Sequence, residues 1–199
     1  MIIGIAGKTG AGKNYVAGLL EQRGWRTLDL DSTAHRALDA LSDVIEEKLG
    51  PGLLRHGSID RAELGRRVFA DKALLEELEK ITYPWIEEEA RRWLSEYPEI
   101  PAALHAVNLH KTSLTGDCNA VIWVKAPFLR RRRRVISRDN RPWKELRGRF
   151  RSQNRLNPKL FSSDAEIYSV RNSGNDASLN ASLDRILRRL EGPGGKNER

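Results

Sequence analysis

An apolar run, Met1-Ile2-Ile3-Gly4-Ile5-Ala6, leads directly into Gly7-Lys8-Thr9-Gly10-Ala11-Gly12-Lys13-Asn14, and a helical pattern follows. Strand, glycine loop and helix in that order are what binding a chain of phosphates requires. Gly7, Gly10 and Gly12 let backbone N–H groups converge on one centre without Cβ obstruction, and the helix start adds the positive end of its dipole. Lys13 supplies a point charge for β- and γ-phosphates; Lys8, Thr9 and Ala11 complete the loop, and Tyr15 follows it. The usual pattern places Ser or Thr after the lysine, where its hydroxyl binds Mg2+. Here that position is Asn14, whose amide oxygen can coordinate a hard cation directly or through water, although it is neutral and one bond longer. The bland alternative is a Gly-rich turn without a ligand, and the spacing and flanks argue against it.

A second set of residues could complete the chemistry of moving a phosphoryl group. The second strand-like run ends in Leu28-Asp29-Leu30-Asp31, at the edge where a doubly wound sheet carries its phosphate loop. Asp31 can accept the proton of an attacking hydroxyl, cap the helix that follows, or do both. Asp29 faces the same way one residue pair deeper and is the weaker candidate. Arg130 to Arg134 form an unbroken run on a predicted helix, so part of it should lie on a solvated face while one or two members face phosphates. Arg138, Arg147, Arg149, Arg151 and Arg155 are further candidates of the same kind. His110, just past the third strand, is either a hydrogen-bonded loop residue or a ligand contact. Asn172-Ser173-Gly174, after the last strand, is either a turn or a nucleotide contact.

These residues need a scaffold that brings strand ends together. Strand-like runs at Ile2–Ala6, Trp25–Leu30, Ala102–Leu109, Val121–Val124 and Ile167–Val170 alternate with helical segments, which predicts an α/β fold with a parallel sheet covered by helices. The expected helices are Lys13–Arg23, ended by Gly24, then Ala34–Leu49, a short one from a capping-box pattern at Asp60-Arg61-Ala62-Glu63 to Phe69, and Lys72–Ile81 behind Asp71. Pro84 suits the first position of a further helix, whose Trp85 and Trp93 read as packing residues. From Pro127 to Asp164 the composition turns arginine-heavy and poor in aliphatic residues, which suggests a mobile lid. A last helix is expected over Asp176–Leu190, and Gly192 to Arg199 reads as a frayed tail.

At 199 residues the chain suits one α/β domain with a small appendage. No apolar stretch approaches the roughly 20 residues of a membrane span, and Met1 leads straight into the first strand, so no membrane association and a cytoplasmic place are expected. The single cysteine, Cys118, leaves no intramolecular disulfide and no cysteine metal cluster. A net charge of +8 suits phosphate-rich ligands, nucleic acid or an anionic surface alike. No recognised RNA module and no aromatics interleaved with the arginines are present, so nucleic acid is not an expected partner.

Beyond the phosphate loop, the chain resembles the dephospho-CoA kinase family in Leu28-Asp29-Leu30-Asp31 with Ala34-His35-Arg36, in Gly57-Ser58-Ile59-Asp60-Arg61, in Leu64 with Val68-Phe69-Ala70-Asp71, and in Leu78-Glu79 with Tyr83-Pro84-Trp85-Ile86. Arg138-Asp139 and Asn172-Ser173-Gly174 continue the likeness, and the block from Ile59 to Ile86 is its most specific part. The resemblance implies a P-loop kinase-type three-layer α/β/α fold with a five-stranded parallel sheet, a helical substrate insertion at about 57–98, an arginine-rich lid at about 127–165 and a disordered tail at 192–199. It implies ATP and Mg2+ as donor and metal, dephospho-CoA as the small-molecule acceptor, and a monomer or small homo-oligomer. Asp31 becomes the base, Arg138, Asn172 and Gly174 donor contacts, and Arg61, Tyr83, Pro84, His110 and Arg155 acceptor contacts, Arg155 following Gln153 as a lid arginine does in the family. Three departures stand out: Asn14-Tyr15 in place of two hydroxyl residues, Tyr83-Pro84 for the family's His-Pro, and Val107-Asn108-Leu109-His110-Lys111 for its Pro-Leu-Leu segment. A shikimate- or gluconate-type kinase shares the loop but not the Ile59–Ile86 block. A GTP switch lacks its Asn-Lys-x-Asp motif, and a nucleotide- or CoA-binding protein without turnover stays open on the departures.

Overall fold

The computed structural model describes residues 1–161 and 165–192, so the end of the expected lid at Ser162–Asp164 and the expected tail from Pro193 onward lie outside the described residues. The chain divides into two compact units, 1–28 with the segment from Glu99 onward, and 29–98.

In the first unit the apolar runs form strands β1 (Ile2–Ala6) and β2 (Arg26–Asp29), joined by helix α1 (Lys13–Glu21). Next along the chain, the second unit holds α2 (Leu30–Ala40), α3 (Ser42–Leu49), the two-stranded hairpin of β3 (Leu54–Arg55) and β4 (Ser58–Ile59), α4 (Arg61–Ala70) and α5 (Lys72–Ser95). The chain returns to the first unit in β5 (Ala102–Ala106), the short helix α6 (Leu114–Asp117), β6 (Ala120–Lys125), α7 (Phe128–Asp139), α8 (Trp143–Ser152), β7 (Glu166–Arg171) and α9 (Asp176–Glu191). The five-stranded sheet runs β2-β5-β1-β6-β7, with β1 parallel to β5 and β6, and β6 parallel to β7. This is the five-stranded parallel α/β sheet the sequence calls for.

Period two along the strands sends Ile3 and Ile5 of β1, Ile122 and Val124 of β6 and Val170 of β7 into one apolar cluster, closed by Val16 and Leu20 of α1 and Leu179 and Leu183 of α9. Each such side chain removed fully from water contributes about 1.5–3 kcal/mol, so this layer holds the sheet edge that presents the glycine loop. Leu104 of β5, Leu109 in the turn after it and Leu114 of α6 are equally dry, with no exposed surface. Cys118 is buried beside them, and burial followed by the charge of Asp117 pushes its thiol up to about 12, which leaves an inert sulfhydryl.

The second unit has its own core of Ile45, Leu49, Leu53, Ile59, Leu64 and Val68, against which Leu74, Leu75, Leu78 and Ile81 of α5 pack. The expected insertion at 57–98 lies wholly inside this unit, which also takes in α2, α3 and the hairpin. Two expectations about its helices are corrected. The single helix expected over Ala34–Leu49 is two helices broken at Leu41, which caps both with a non-helical φ of −110°. Pro84 does not open a helix: α5 runs unbroken through it. Proline there removes one backbone donor, to the carbonyl of Lys80, and the buried face of Thr82, Ile86 and Ala90 carries the helix past the gap.

Candidate active site

The phosphate loop is built by backbone geometry that only glycine tolerates at two positions. Gly10 and Gly12 have φ of 76° and 98°, in the left-handed region. A Cβ on Gly10 would stand 2.6 Å from the carbonyl oxygen of Arg131, and one on Gly12 would stand 2.1 Å from Asn172 Nδ2. Gly12 is the N-cap of α1; no side chain caps that helix and no acid lies in its first turn, so the positive end of the dipole is left for an anion. Lys13 opens the helix and is buried to 8% exposure, whereas Asn14 is exposed on the next position.

The loop carbonyls are held from behind. Arg131 Nε donates to Thr9 O at 2.8 Å, Arg134 Nη1 to Gly10 O and Ala11 O at 3.4 and 3.2 Å, and Asn172 Nδ2 to Ala11 O at 3.1 Å. Arg134 Nη2 in turn donates to Asn172 Oδ1 at 2.9 Å, closing a triangle around Ala11. In a trans peptide the carbonyl and the next N–H point opposite ways, so tying back the Thr9 and Ala11 carbonyls aims the N–H groups of Gly10 and Gly12 in the other direction. Gln153, at the end of α8, grips Thr9 twice, accepting from its N–H at 2.7 Å and donating to its hydroxyl at 2.8 Å. The sequence points to the arginine run but not to this use of it, the fastening of loop carbonyls by Arg131 and Arg134. Gln153 carries no signal of its own beyond lying in a polar helix.

The rest of the run divides as an amphipathic helix must. Arg132 lies over the Trp143 ring at 4.9 Å, Arg133 is exposed, and Arg130 reaches Gly174, where an added Cβ would meet its Nη1 at 2.1 Å. Arg138 pairs with Asp139 at 2.6 Å, and Arg149 reaches the same carboxylate at 2.9 Å. The Arg138 hydrogen bond, with both guanidinium charges, holds the Asp139 carboxyl below the usual range. Arg155 is exposed three residues past α8. His110 packs edge-on against the buried Phe161, with ring centroids 5.6 Å apart. Tyr15, 44% exposed, bonds to Asp176, and that bond, then burial and the charge of Asp176, raises its phenol above the usual value.

Within the second unit the two aspartates, of which sequence favours Asp31 as the base, take different positions. The N-cap of α2 is Asp29, not Asp31: the Asp29 carboxylate accepts from the N–H of Asp31 at 3.0 Å and of Ser32 at 3.4 Å. Asp31 stands in the first turn, where the dipole favours an anion. Tyr83 of α5 lies close enough to feel it, since burial, then Glu79 by charge and hydrogen bond, and lastly the Asp31 charge, all raise the Tyr83 phenol. Pro84 is exposed beside Tyr83. Arg61 pairs with Asp39 of α2 at 2.9 Å.

The sequence also matches known proteins over nearly its whole length. A family model described as dephospho-CoA kinase matches residues 1–177. Proteins named dephospho-CoA kinase from Treponema pallidum and Treponema denticola are 32% and 31% identical, covering 94% and 92% of this chain and 94% and 87% of their own. A crystal structure of a Thermus thermophilus protein superposes with a TM-score of 0.81 at 31% identity, over 96% of this chain and 98% of the other. Dephospho-CoA kinase from Campylobacter jejuni shares the fold with a TM-score of 0.65 at 18% identity, over 95% and 96% of the two chains.

Proposed function

This chain belongs to the dephospho-CoA kinase family, and from that premise we propose how its own residues carry the family's reaction, transfer of the γ-phosphoryl group of ATP to the ribose 3′-hydroxyl of dephospho-CoA to give CoA. Loop residues 7–13 hold the donor phosphates: the N–H groups of Gly10 and Gly12 and the uncapped start of α1 face them, and Lys13 neutralises charge on the moving group. Asp31 takes the proton of the attacking hydroxyl. Asn172, Gly174 and Arg138 serve the donor, and Arg61, Tyr83, Pro84, His110 and Arg155 the acceptor. The observation that supports the donor half most directly is the triangle of Arg134, Asn172 and the Ala11 carbonyl, which orients the loop before any nucleotide arrives.

Among the described residues no group of three or more His, Cys, Asp or Glu could hold a metal. Mg2+ therefore fits as an ion held chiefly by phosphate oxygens and water, with the Asn14 amide oxygen as its protein ligand. Bound there, it would neutralise charge on the β- and γ-oxygens. No described helix is long and apolar enough to cross a membrane, and both reactants are water-soluble, so a cytoplasmic place is proposed.

The deciding experiment is a coupled assay of ADP release with ATP, Mg2+ and dephospho-CoA, run beside shikimate, gluconate and nucleosides. Turnover with dephospho-CoA alone is the expected result. Turnover with another acceptor overturns the assignment, and nucleotide binding without any turnover replaces it with a binding protein.

Two variants test the donor side. Asn172→Ala removes one donor from Ala11 O and the acceptor that fixes Arg134, so the KM for ATP should rise about tenfold, as expected for a lost buried charge-assisted hydrogen bond, while kcat at saturation falls much less. An unchanged KM for ATP would show that the loop keeps its shape without the triangle. Asn14→Ala should raise the Mg2+ concentration needed for half-maximal rate by about threefold to tenfold, and Asn14→Ser should lower it again by shortening the path to the metal. Titrations that match the parent for both variants would place the metal on other ligands.

A further inference from the structure

Between the phosphate loop and the arginine-rich helices lies a pocket of about 340 Å3 to which no reactant has been assigned above. Lys8, Arg131, Arg147 and Arg151 line it together with Trp143 and Phe150, and none of its lining residues is acidic. The cations are crowded. Arg147 and Arg151 are i and i+4 on α8, a spacing that sets like charges side by side at a cost. The guanidinium of Arg131 is buried and lies over the Phe150 ring at 4.9 Å. Lys8 Nζ is anchored on Asn154 O at 3.2 Å, and burial, then the Arg131 charge, lowers its ammonium below the ordinary lysine value. Trp143 and Phe150 meet in a T-shaped contact, centroids 4.9 Å apart, and give the pocket an apolar wall.

Four cations around one cavity, without a lining carboxylate, are complementary to an anion of more than one charge, and the aromatic wall adds a surface for a ring or an apolar arm. Of the loop residues given to the donor the pocket takes only Lys8, and it leaves out Gly10 to Lys13 as well as Asn172 to Gly174. Its occupant is therefore the other phosphate-bearing reactant. We propose that this pocket holds the diphosphate of the acceptor, dephospho-CoA, with Arg147 and Arg151 as its specificity-determining contacts and Trp143 against the apolar part of the same molecule. The assignment rests on the acceptor being dephospho-CoA, as above.

Trp143 makes the pocket visible without turnover. Addition of dephospho-CoA to the full chain should change tryptophan emission, Trp143→Phe should remove that change, and inorganic pyrophosphate should compete with it. The double variant Arg147→Ala/Arg151→Ala should weaken dephospho-CoA binding and raise its KM at least about tenfold, with the KM for ATP within about twofold, since two phosphate contacts are lost on one substrate only. Circular dichroism of the double variant confirms that α8 still folds. A Trp143 response to ATP alone as large as that to dephospho-CoA gives the pocket to the donor and overturns the proposal, as does an unchanged KM for dephospho-CoA in the double variant. The two readings fail separately: a Trp143 response to dephospho-CoA without turnover sinks the kinase assignment and keeps the pocket, whereas normal turnover with no response sinks the pocket and keeps the kinase.

Discussion

Lys13→Ala should lower phosphoryl transfer by at least about 10²–10³-fold, the loss found when one preorganised group opposite developing charge is removed. The side chain opens α1 with 8% of its surface exposed, behind a loop whose carbonyls are fastened by Arg131, Arg134 and Asn172. Its charge is thus held where the backbone N–H groups converge, and no other loop residue can take its place. Lys8, the other loop lysine, is turned to Asn154. Folding should survive, because alanine is the best helix former at a first helical position and the Val16, Leu20 core of α1 is untouched. Lys13→Arg separates charge from shape: a planar guanidinium needs more room than the ammonium, so it should rescue only a small part of the rate. Thermal melting within a few degrees of the parent, with kcat/KM near background, is the expected pair of results. Near-parental turnover would remove the loop from the mechanism.

How much of this was legible in the sequence differs by residue. The loop was legible, because a Gly-rich connection between β1 and α1 uses residue types whose reason is local: Gly10 and Gly12 sit at positive φ. The centre of the sheet was legible for the same reason, β1, β5 and β6 being short, almost continuously buried apolar runs. The hairpin at Leu54–Ile59 was not, since two residues per strand leave no period to read, and its only local sign is the positive φ of His56 and Gly57 at the turn. Pro84 misled because its local rule, a helix start, is outweighed by the apolar face that α5 buries on both sides of it. Gln153 and Arg134 were illegible as loop clamps, for they act on residues 144 and 123 positions away, and nothing in a helix face says which carbonyl it will meet.

Asp29 and Asp31 are the sharpest case, because sequence offers two carboxylates two positions apart and the structure gives them different work. Asp29 caps α2 through the N–H groups of Asp31 and Ser32. An asparagine caps a helix about as well, so Asp29→Asn should leave stability and rate near those of the parent, and Asp29→Ala should cost about 1 kcal/mol of stability through the lost cap. Asp31 is not the N-cap of α2, its N–H being one of the groups that Asp29 caps. Asp31→Asn preserves size and the helix start but cannot take a proton, so kcat should fall by about 10²–10⁴-fold, the usual contribution of a positioned base, while the KM for ATP changes little. The acid limb of the pH profile of kcat should also disappear, because the group whose deprotonation it reports is gone. Stopped-flow ADP release for both asparagine variants, with nucleotide affinity measured separately, decides the matter: a fall confined to Asp31 assigns the base, an equal fall in both makes the charge of the strand end the cause, and no fall in either leaves the proton to water.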